Sequence, residues 1–273
     1  MKVSVCDMTD FDFETKLLKS VRETGFVVLT HHGIDYGLIK EAQHAWLQFF
    51  LENLTIKNMF VNLQNGNLGY KKMGTETAVG SKIPDLKEFF HWKPGSSCPG
   101  TAKAITEQMY TQLEDVSQQV LTVLARFSGA NYQDQCYKSD NTLFRSLYYP
   151  AMENMANVEK GAVRAAAHED INHITMLVAA SAPGLEVKDV NGNWHSVPHE
   201  ENSITVNIGD MLQLNSGGTF KSTTHRVVNA SKENTDRLSM PLFVHPTSDT
   251  ELQPGYTAGQ FLKERIAQLY GKK

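Results

Sequence analysis

The chain has 273 residues, a formal net charge of −4 at pH 7 and a sequence pI near 6.2. This mildly acidic balance argues against a general nucleic-acid binder, because such proteins carry a strongly basic domain or stripe. Hydrophobic residues make up 41% and charged residues 21% of the chain, which is typical of a globular protein and excludes a disordered or collagen-like one.

The first half of the chain has mainly helical patterns. Apolar residues recur at helical spacing in three segments: residues 14–22, 39–51 and 103–128. A short β-rich run, Phe26–Thr30, follows the first of these segments. Residues 64–84 are rich in Gly, Asn, Thr and Ser and show little periodicity, which predicts an irregular, mobile segment.

The second half has a different character. Residues 142–246 contain short runs rich in Val, Ile, Thr, Phe and Tyr, broken by turn signals such as Pro183-Gly184 and Asn191-Gly192. Many short strands at this spacing predict a sandwich or barrel and not an alternating βαβ sheet. Residues 257–269 predict one amphipathic helix. Because no linker is evident, we expect a single domain over residues 1–273.

Three residues have the chemistry and spacing of a metal site. His168 and Asp170 precede a strand-like run, and in extended backbone residues i and i+2 share a face, so their side chains can converge on one ion. His225 lies in a later β-rich run and can supply a second imidazole. Two histidines and one carboxylate form the facial triad typical of non-haem iron(II), which leaves coordination positions open. The tripeptide alone is a weak signal.

A second pair, Arg237 and Ser239, follows His225 by twelve and fourteen residues. Both residues fall on one face of a predicted strand, and a guanidinium with a hydroxyl can bind a carboxylate through several hydrogen bonds. An arginine that faces inward from an apolar run needs an anionic partner, because an unpaired buried charge is unfavourable. A dicarboxylic acid would supply that partner.

The order of these motifs resembles that of the iron(II)/2-oxoglutarate-dependent oxygenases of the isopenicillin N synthase-like group. Further matches to this group extend along nearly the whole chain: residues 22–34, Gly69-Tyr70, residues 85–91, Pro183-Gly184-Leu185, Trp194, Asn207-Ile208-Gly209-Asp210 and residues 221–227. So many matches in the same order make the resemblance far more specific than the metal tripeptide alone.

The resemblance implies a mainly β fold with flanking helices, in which a double-stranded β-helix, or jelly roll, forms the core. We expect this core over residues 142–250, after a mainly helical N-terminal region (1–141) and before a C-terminal helix (251–273). The implied roles are iron ligation by His168, Asp170 and His225, and carboxylate binding by Arg237, Ser239 and Tyr149. The sequence departs from the family pattern at Leu147, where many members carry Asn, and at Glu169, where Thr is usual.

The implied function is that of a non-haem iron(II)- and 2-oxoglutarate-dependent dioxygenase, which uses O2, oxidises a small metabolite and releases succinate and CO2. Hydroxylation is the default outcome, with desaturation or cyclisation as alternatives. A 2-oxoglutarate-independent oxidase of the isopenicillin N synthase type, and a non-catalytic binder on the same scaffold, stay open. Phe243, Phe89, His91, Tyr70 and the C-terminal helix are candidate walls of a pocket for a small acidic or amphipathic substrate.

The remaining sequence features favour ordinary roles. His173 lies close to the metal motif and could support a ligand carboxylate, but it is interpreted as a loop or strand-end histidine because the triad already has its two imidazoles. His245 shows no metal-ligand spacing and is interpreted as structural. The longest nearly apolar run, residues 174–180, is too short for a membrane span, and the first 13 residues carry three aspartates where a signal peptide would be basic and apolar. Three widely spaced cysteines predict no disulfide framework. We therefore expect a cytoplasmic protein without nucleic-acid or membrane partners; the oligomeric state is not predicted.

Overall fold

The computed structural model describes residues 1–64, 66–76, 85–151, 164–228 and 235–270, without the side chains of the last two. The helices are α1 (Phe13–Thr24), α2 (Tyr36–Leu51), α3 (Leu54–Asn58), α4 (Gly100–Ser128), α5 (Tyr132–Cys136), α6 (Asp210–Asn215) and α7 (Ala258–Tyr270). The strands are β1 (Val5–Asp7), β2 (Phe26–Thr30), β3 (Gly69–Lys71), β4 (Glu88–Trp92), β5 (Leu143–Tyr149), β6 (Ala165–His168), β7 (Ile174–Val178), β8 (Leu185–Lys188), β9 (Trp194–Ser196), β10 (Ile204–Ile208), β11 (His225–Val227), β12 (Arg237–Val244), β13 (Glu251–Gln253) and β14 (Tyr256–Thr257).

The described strands form two facing sheets and a small hairpin. The main sheet has eight strands in the order β1-β2-β10-β7-β12-β5-β4-β3, and the minor sheet has four in the order β6-β11-β8-β9. Apart from the parallel pair β1 and β2, the pairings in both sheets are antiparallel. The predicted jelly-roll core flanked by helices is confirmed.

Alternating residues of the main sheet face two different layers. Leu238, Met240 and Leu242 of β12 belong to the large apolar core between this sheet and the helices, where they meet residues of α2 and α4. The opposite face of the sheet packs on the minor sheet. There Leu147 and Tyr149 of β5 join an apolar cluster with residues of β6 and β11. This alternation follows from the period of two along a strand.

Helix α4 is the longest element of the helical layer and spans 29 residues. Its buried apolar positions recur at intervals of three and four residues, so they form one stripe that packs on the main sheet. The helix ends at Gly129, whose φ of 72° is left-handed and whose backbone N–H bonds to the Ala125 carbonyl oxygen at 2.8 Å. Glycine adopts this conformation without the steric strain that a side chain would add.

The predicted helices are confirmed, with ends that differ by a few residues: α1 for residues 14–22, α2 for 39–51, α4 for 103–128 and α7 for 257–269. Strand β2 has its predicted bounds. Strands β3 and β4 and helix α6 were not predicted, since each is short and periodicity over so few residues is ambiguous. Much of the predicted mobile segment 64–84 lies outside the described residues. Among the described helices, none has the length and apolar character needed to cross a bilayer.

Candidate active site

The three predicted metal ligands meet at the minor sheet. His168 is the last residue of β6, His225 is the first residue of β11, and the two are direct partners in the β6–β11 pairing. Asp170 lies just beyond β6 and not within a strand, yet its Oδ1 is 3.8 Å from Nε2 of His168 and 3.9 Å from Nε2 of His225. Candidate ligand atoms of the three side chains lie within 4.8 Å of one another, which is close enough to share one cation.

Hydrogen bonds to the backbone orient both imidazole rings. Nδ1 of His168 is 2.8 Å from the Ala166 carbonyl oxygen, and Nδ1 of His225 is 3.1 Å from that of Thr223. An Nδ1–H that donates to a carbonyl leaves Nε2 with its lone pair, which is the form that binds metals. Burial lowers the pKa of His168 to about 4, so the ring is neutral at pH 7.

The Asp170 carboxylate also has the orientation and charge needed to bind a cation. Its Oδ2 accepts hydrogen bonds from Thr175 Oγ1 at 2.5 Å and Asn207 Nδ2 at 2.8 Å, so Oδ1 is the oxygen that faces the histidines. Burial alone would raise the pKa of Asp170, but the electrostatic interactions with the His225 and His168 imidazoles and the two hydrogen bonds outweigh it and hold the pKa below its usual range. The donor set therefore fits a divalent metal ion.

The loop that carries Asp170 is held by the start of α6. The backbone N–H of Asp210 donates to the Asp170 carbonyl oxygen at 2.7 Å, and that of Gly209 donates to the His173 carbonyl oxygen at 2.9 Å. A Cβ on Gly209 would lie 2.2 Å from the Asn172 carbonyl oxygen, so only glycine allows this approach. The Asn207-Ile208-Gly209-Asp210 segment that matches the family thus supports the loop of a predicted metal ligand.

Arg237 begins β12 and faces the space between the two sheets. It is 2% exposed, and its Nε donates a hydrogen bond to the Ala182 carbonyl oxygen at 3.0 Å. Tyr149 is its direct partner on β5, and the guanidinium carbon of Arg237 lies 5.3 Å from the centre of the Tyr149 ring. Its Nη1 has no hydrogen-bond partner among the described residues. Ser239, also buried, follows on the same strand face. A buried guanidinium with a free N–H group fits a carboxylate ligand.

A cavity of about 430 Å³ opens beside the metal-ligand cluster. Apolar, charged and polar side chains all contribute to its described walls: Leu68, Leu143, Ile171, Phe243, Leu262, Ile266, Glu76, Asp85, Lys87, Lys93, Arg145, Glu169, Arg265, Asn67, His91, Asn141, His245 and Gln268, besides Ala167, His168 and Asp170. The volume is that of a small-molecule site.

A buried ionic network forms part of this wall and was not predicted. Arg145 donates from both terminal nitrogens to the Glu76 carboxylate, at 3.0 and 3.2 Å, while Lys87 contacts Glu76 at 3.0 Å and Asp85 at 2.8 Å. Burial would raise the pKa of Glu76, but the charges of Arg145 and Lys87 lower it well below its usual range. The sequence could have predicted that Lys87 lies on the cavity side, because it precedes the candidate residues Phe89 and His91 by two and four positions and such residues share one face of a strand.

The other predicted pocket residues have different positions. Phe243 and His91 line the cavity, and so do four residues of the predicted C-terminal helix. Phe89 lies directly under the Arg145 guanidinium, at 4.6 Å from ring centre to guanidinium carbon, and is fully buried. Tyr70 does not line the cavity. Its hydroxyl donates a hydrogen bond to Glu88, and its ring packs in the helix-side core. Side chains alternate between the two faces of a strand, and that of Tyr70 lies on the helix side.

The two departures from the family pattern also have clear surroundings. Leu147, where many members carry Asn, is 5% exposed and belongs to the apolar cluster between the sheets with Tyr149. Glu169 is exposed, as expected of a side chain that points away from the metal ligands, and it accepts a hydrogen bond from Thr224. Its carboxylate forms part of the cavity rim.

Comparison with known proteins places the chain in a family. The profile of the 2OG-Fe(II) oxygenase superfamily matches residues 132–246, and a profile described as the N-terminal region of a non-haem dioxygenase in morphine synthesis matches residues 5–113. The clavatol oxidase of Penicillium crustosum is 33% identical over 294 residues, a match that covers 92% of this chain and 86% of that protein.

Solved structures agree with this placement. A Shewanella oneidensis protein described as an oxygenase superposes on this chain with a TM-score of 0.86 at 35% identity, and the match covers 98% of both chains. A full-length Neurospora crassa protein, crystallised in complex with alpha-KG (2-oxoglutarate), superposes with a TM-score of 0.82 at 25% identity, covering 96% of this chain and 95% of that one.

The fold and the site therefore define a non-haem iron oxygenase of the jelly-roll type. The chain belongs to the 2OG-Fe(II) oxygenase superfamily. It is an iron(II)- and 2-oxoglutarate-dependent dioxygenase, an oxidoreductase with iron(II) as cofactor and 2-oxoglutarate and O2 as co-substrates. The alternative of an oxidase that uses no 2-oxoglutarate is not favoured.

Proposed function

We propose that His168, Asp170 and His225 hold the iron(II) ion. The observation that carries this proposal is the convergence of two Nε2 atoms and one carboxylate oxygen within 4.8 Å at the edge of the cavity. The hydrogen bonds on Nδ1 of each ring and on Oδ2 of Asp170 support it, because they keep the remaining ligand atoms free. Metal bound there supplies, with 2-oxoglutarate and O2, the oxidant for the substrate.

Arg237, Ser239 and Tyr149 hold the distal carboxylate of 2-oxoglutarate in this proposal. The free Nη1 of Arg237 and its position opposite Tyr149 support this role, since a buried guanidinium gains most from an ionic partner. Burial lowers the pKa of Arg237, yet the group remains a cation at pH 7. The apolar cluster that contains Leu147 excludes water from the same region.

The primary substrate is a small amphipathic or acidic molecule that occupies the 430 Å³ cavity. Apolar side chains such as Phe243 and Ile266 support an apolar body, and Lys93, whose ammonium donates to the Asp140 carbonyl oxygen at 2.5 Å, supports an acidic group. Hydroxylation is the expected outcome, with desaturation or ring closure as alternatives. The isopenicillin N synthase-like group is the proposed branch of the family.

The wider organisation is proposed in the same way. Residues 1–273 form one domain, because the helices of the first half pack on the same sheet as the strands of the second.

Cys6, Cys98 and Cys136 are free thiols, which supports a reducing compartment such as the cytoplasm, where iron stays ferrous. Cell fractionation with a redox-trapped thiol assay tests this placement; disulfide-linked cysteines in the native protein would contradict it.

The experiment that tests the function follows succinate and O2 together. The iron(II)-loaded chain is incubated with 2-oxoglutarate and a panel of small acids, phenols and heterocycles, and succinate is measured against O2 consumed. We expect equimolar succinate and O2 with at least one panel member. His225→Ala should lose iron, whereas Arg237→Ala should keep iron and lose 2-oxoglutarate binding. Turnover of a panel member without succinate would contradict the proposal and indicate an oxidase that uses no 2-oxoglutarate.

A further inference from the structure

Asp85 connects the ionic network of the cavity wall to the strand that ends in His168. It is 6% exposed and lines the cavity together with Lys87 and His168. Its Oδ2 accepts a hydrogen bond from the Lys87 ammonium at 2.8 Å, and its Oδ1 accepts one from the backbone N–H of Ala166 at 3.0 Å. In the sequence, Asp85 belongs to the segment 85–91 that resembles the family, but that match carried no role for it.

The hydrogen bond to Ala166 occupies a strand edge. Strand β6 is at one end of the minor sheet, and β11 is its strand partner among the described residues. The N–H and C=O groups of one strand residue point to the same side, so a residue that does not bond to β11 turns both groups toward the outer edge. A buried N–H group without an acceptor is unfavourable. The Asp85 carboxylate supplies the acceptor that a further strand would otherwise provide.

The same outer edge orients the imidazole of His168. The Ala166 carbonyl oxygen lies 2.8 Å from Nδ1 of His168. The two peptide groups of Ala166 therefore connect the Asp85 carboxylate on one side to the His168 ring on the other. Because Nδ1–H donates to this carbonyl, the direction of the carbonyl decides where Nε2, the atom proposed to bind iron, points. A rotation of this edge segment would turn the carbonyl and the ring together.

Asp85 is itself held by several contacts. Its backbone N–H donates to the Glu76 carbonyl oxygen at 3.1 Å. The Lys87 ammonium that contacts its Oδ2 also contacts the Glu76 carboxylate at 3.0 Å, and that carboxylate accepts hydrogen bonds from both terminal nitrogens of Arg145. Burial would lower the pKa of Lys87, but interactions with Glu76, Tyr149 and Asp85 outweigh it and raise the pKa. The ammonium is therefore charged at pH 7, and the carboxylate of Asp85 has a fixed ionic partner.

We propose that Asp85 is a positioning residue for the iron site: through the backbone of Ala166 it fixes the orientation of His168, and it links that orientation to the ionic wall of the cavity. The inference rests on the proposed function, since His168 is a proposed iron ligand. Asp85 acts through Ala166 and not as a ligand, because it is not part of the metal-ligand cluster found among the described residues.

The test measures the binding of Co(II), a stand-in for iron(II) whose absorption bands report ligand geometry, to the full chain. The dissociation constant and the band positions at saturating Co(II) are compared between the parent and Asp85→Asn. Asparagine has one acceptor oxygen where aspartate has two. The Lys87 ammonium takes that oxygen, so the Ala166 N–H faces an NH2 group and loses its acceptor.

Two control variants remove a carboxylate from a buried lysine and leave the Asp85 side chain intact. Glu76→Gln removes one from the same Lys87 and makes the same charge change in the same cavity wall. Glu88→Gln removes one from Lys57, which it contacts at 2.9 Å on the helix side of the main sheet. The first control tests the effect of charge, and the second tests the effect of lost stability.

We expect Asp85→Asn to weaken Co(II) binding about 10-fold, at the lower end of the effect of groups that orient metal-bound histidines, and to shift the bands. Both controls should keep the affinity within about twofold and the bands unchanged, although all three variants should lower the urea midpoint. A merely structural role of Asp85 would lower the midpoint without changing affinity or bands. That result overturns the proposal, and so does an equal loss of affinity in Glu76→Gln, which would indicate an effect of charge alone.

Amide hydrogen exchange tests the contact in the unchanged protein. The Ala166 N–H should exchange slowly in the parent and at least about 10-fold faster in Asp85→Asn. Fast exchange in the parent overturns the proposal, even if the variant does not fold.

His168→Ala separates this inference from the function beneath it. If His168→Ala loses Co(II) while Asp85→Asn keeps the affinity of the parent, the proposed metal site stands and the role of Asp85 fails. If His168→Ala binds Co(II) as tightly as the parent does, the proposed metal site itself is wrong, and the role of Asp85 fails with it.

Discussion

The two faces of the main sheet differ in chemistry although they are formed by the same strands. On β12, Leu238, Met240 and Leu242 pack into the helix-side core, while Arg237 and Ser239 face the minor sheet. The helix side is mainly hydrocarbon, although it also holds the buried Lys57–Glu88 ion pair, and the cavity side holds charged groups such as Glu76 and Arg145. Neighbouring residues therefore have different expected roles: those on the helix side stabilise the fold, and those on the cavity side are proposed to bind ligands. Adjacent substitutions should separate stability from activity.

The largest effect is expected on the cavity side at a proposed metal ligand. His225→Ala removes one of three ligand atoms, so iron affinity and succinate formation should fall by more than the roughly 100-fold that loss of an outer-shell partner causes. His195→Ala, on β9 with its side chain 31% exposed, is the matched control and should change neither. Iron content and succinate yield check this prediction. Normal iron content in His225→Ala would remove His225 from the metal site.

The neighbouring pair Arg237 and Leu238 sharpens the comparison directly. Leu238→Ala should lower the free energy of unfolding by about 2–5 kcal/mol and leave 2-oxoglutarate affinity within about twofold. Arg237→Ala should weaken 2-oxoglutarate by about 100-fold or more, because each charge-assisted hydrogen bond contributes about 1.5–3 kcal/mol. Urea denaturation and equilibrium binding measure the two effects. If Leu238→Ala weakened 2-oxoglutarate as strongly as Arg237→Ala, the two faces would not be separable.

A smaller effect is expected at Asn207, which contacts the proposed iron ligand Asp170. Asn207→Ala removes a hydrogen bond to Oδ2 of Asp170 and should lower iron affinity about 10- to 100-fold. Ile208→Val, the next residue along β10 and a member of the helix-side core, should cost only about 0.5–1.5 kcal/mol of stability. Competition with a chelator gives the iron affinities. An unchanged affinity in Asn207→Ala would show that this amide does not orient Asp170.

The effect that is smallest at pH 7, and grows only in acid, is the pH dependence of stability. Burial lowers the pKa of His173 to about 3, while the unfolded chain takes up the proton near 6.5. The unfolded state thus binds more protons between these values, so the free energy of unfolding falls as pH decreases below about 6.5, by up to about 1.4 kcal/mol per pH unit. His173→Gln should flatten this slope, and His31→Gln, at an exposed histidine, should not. Equal slopes in all three proteins would contradict the prediction.

Most of the long helices could be predicted from the sequence, because apolar residues recur along them over many turns. Strands β3 and β4 could not, since three and five residues carry too little periodicity. Tyr70 shows what the sequence could not predict about the site, namely the face of the sheet on which a side chain lies. Its neighbourhood matches the family, yet the register of β3 with β4 turns its ring toward Phe49 and the helices.

The sequence by itself determined the class of chemistry, because the order of His168, Asp170, His225 and Arg237 resembles that of the family to which the chain belongs. Only the tertiary structure decided which further groups surround that chemistry. Glu76, Arg145 and His245 come from distant parts of the chain and meet because strands of different origin pair in one sheet. The physical reason is that a motif is local, whereas burial, hydrogen-bond partners and the walls of a cavity depend on how strands pair across the whole fold.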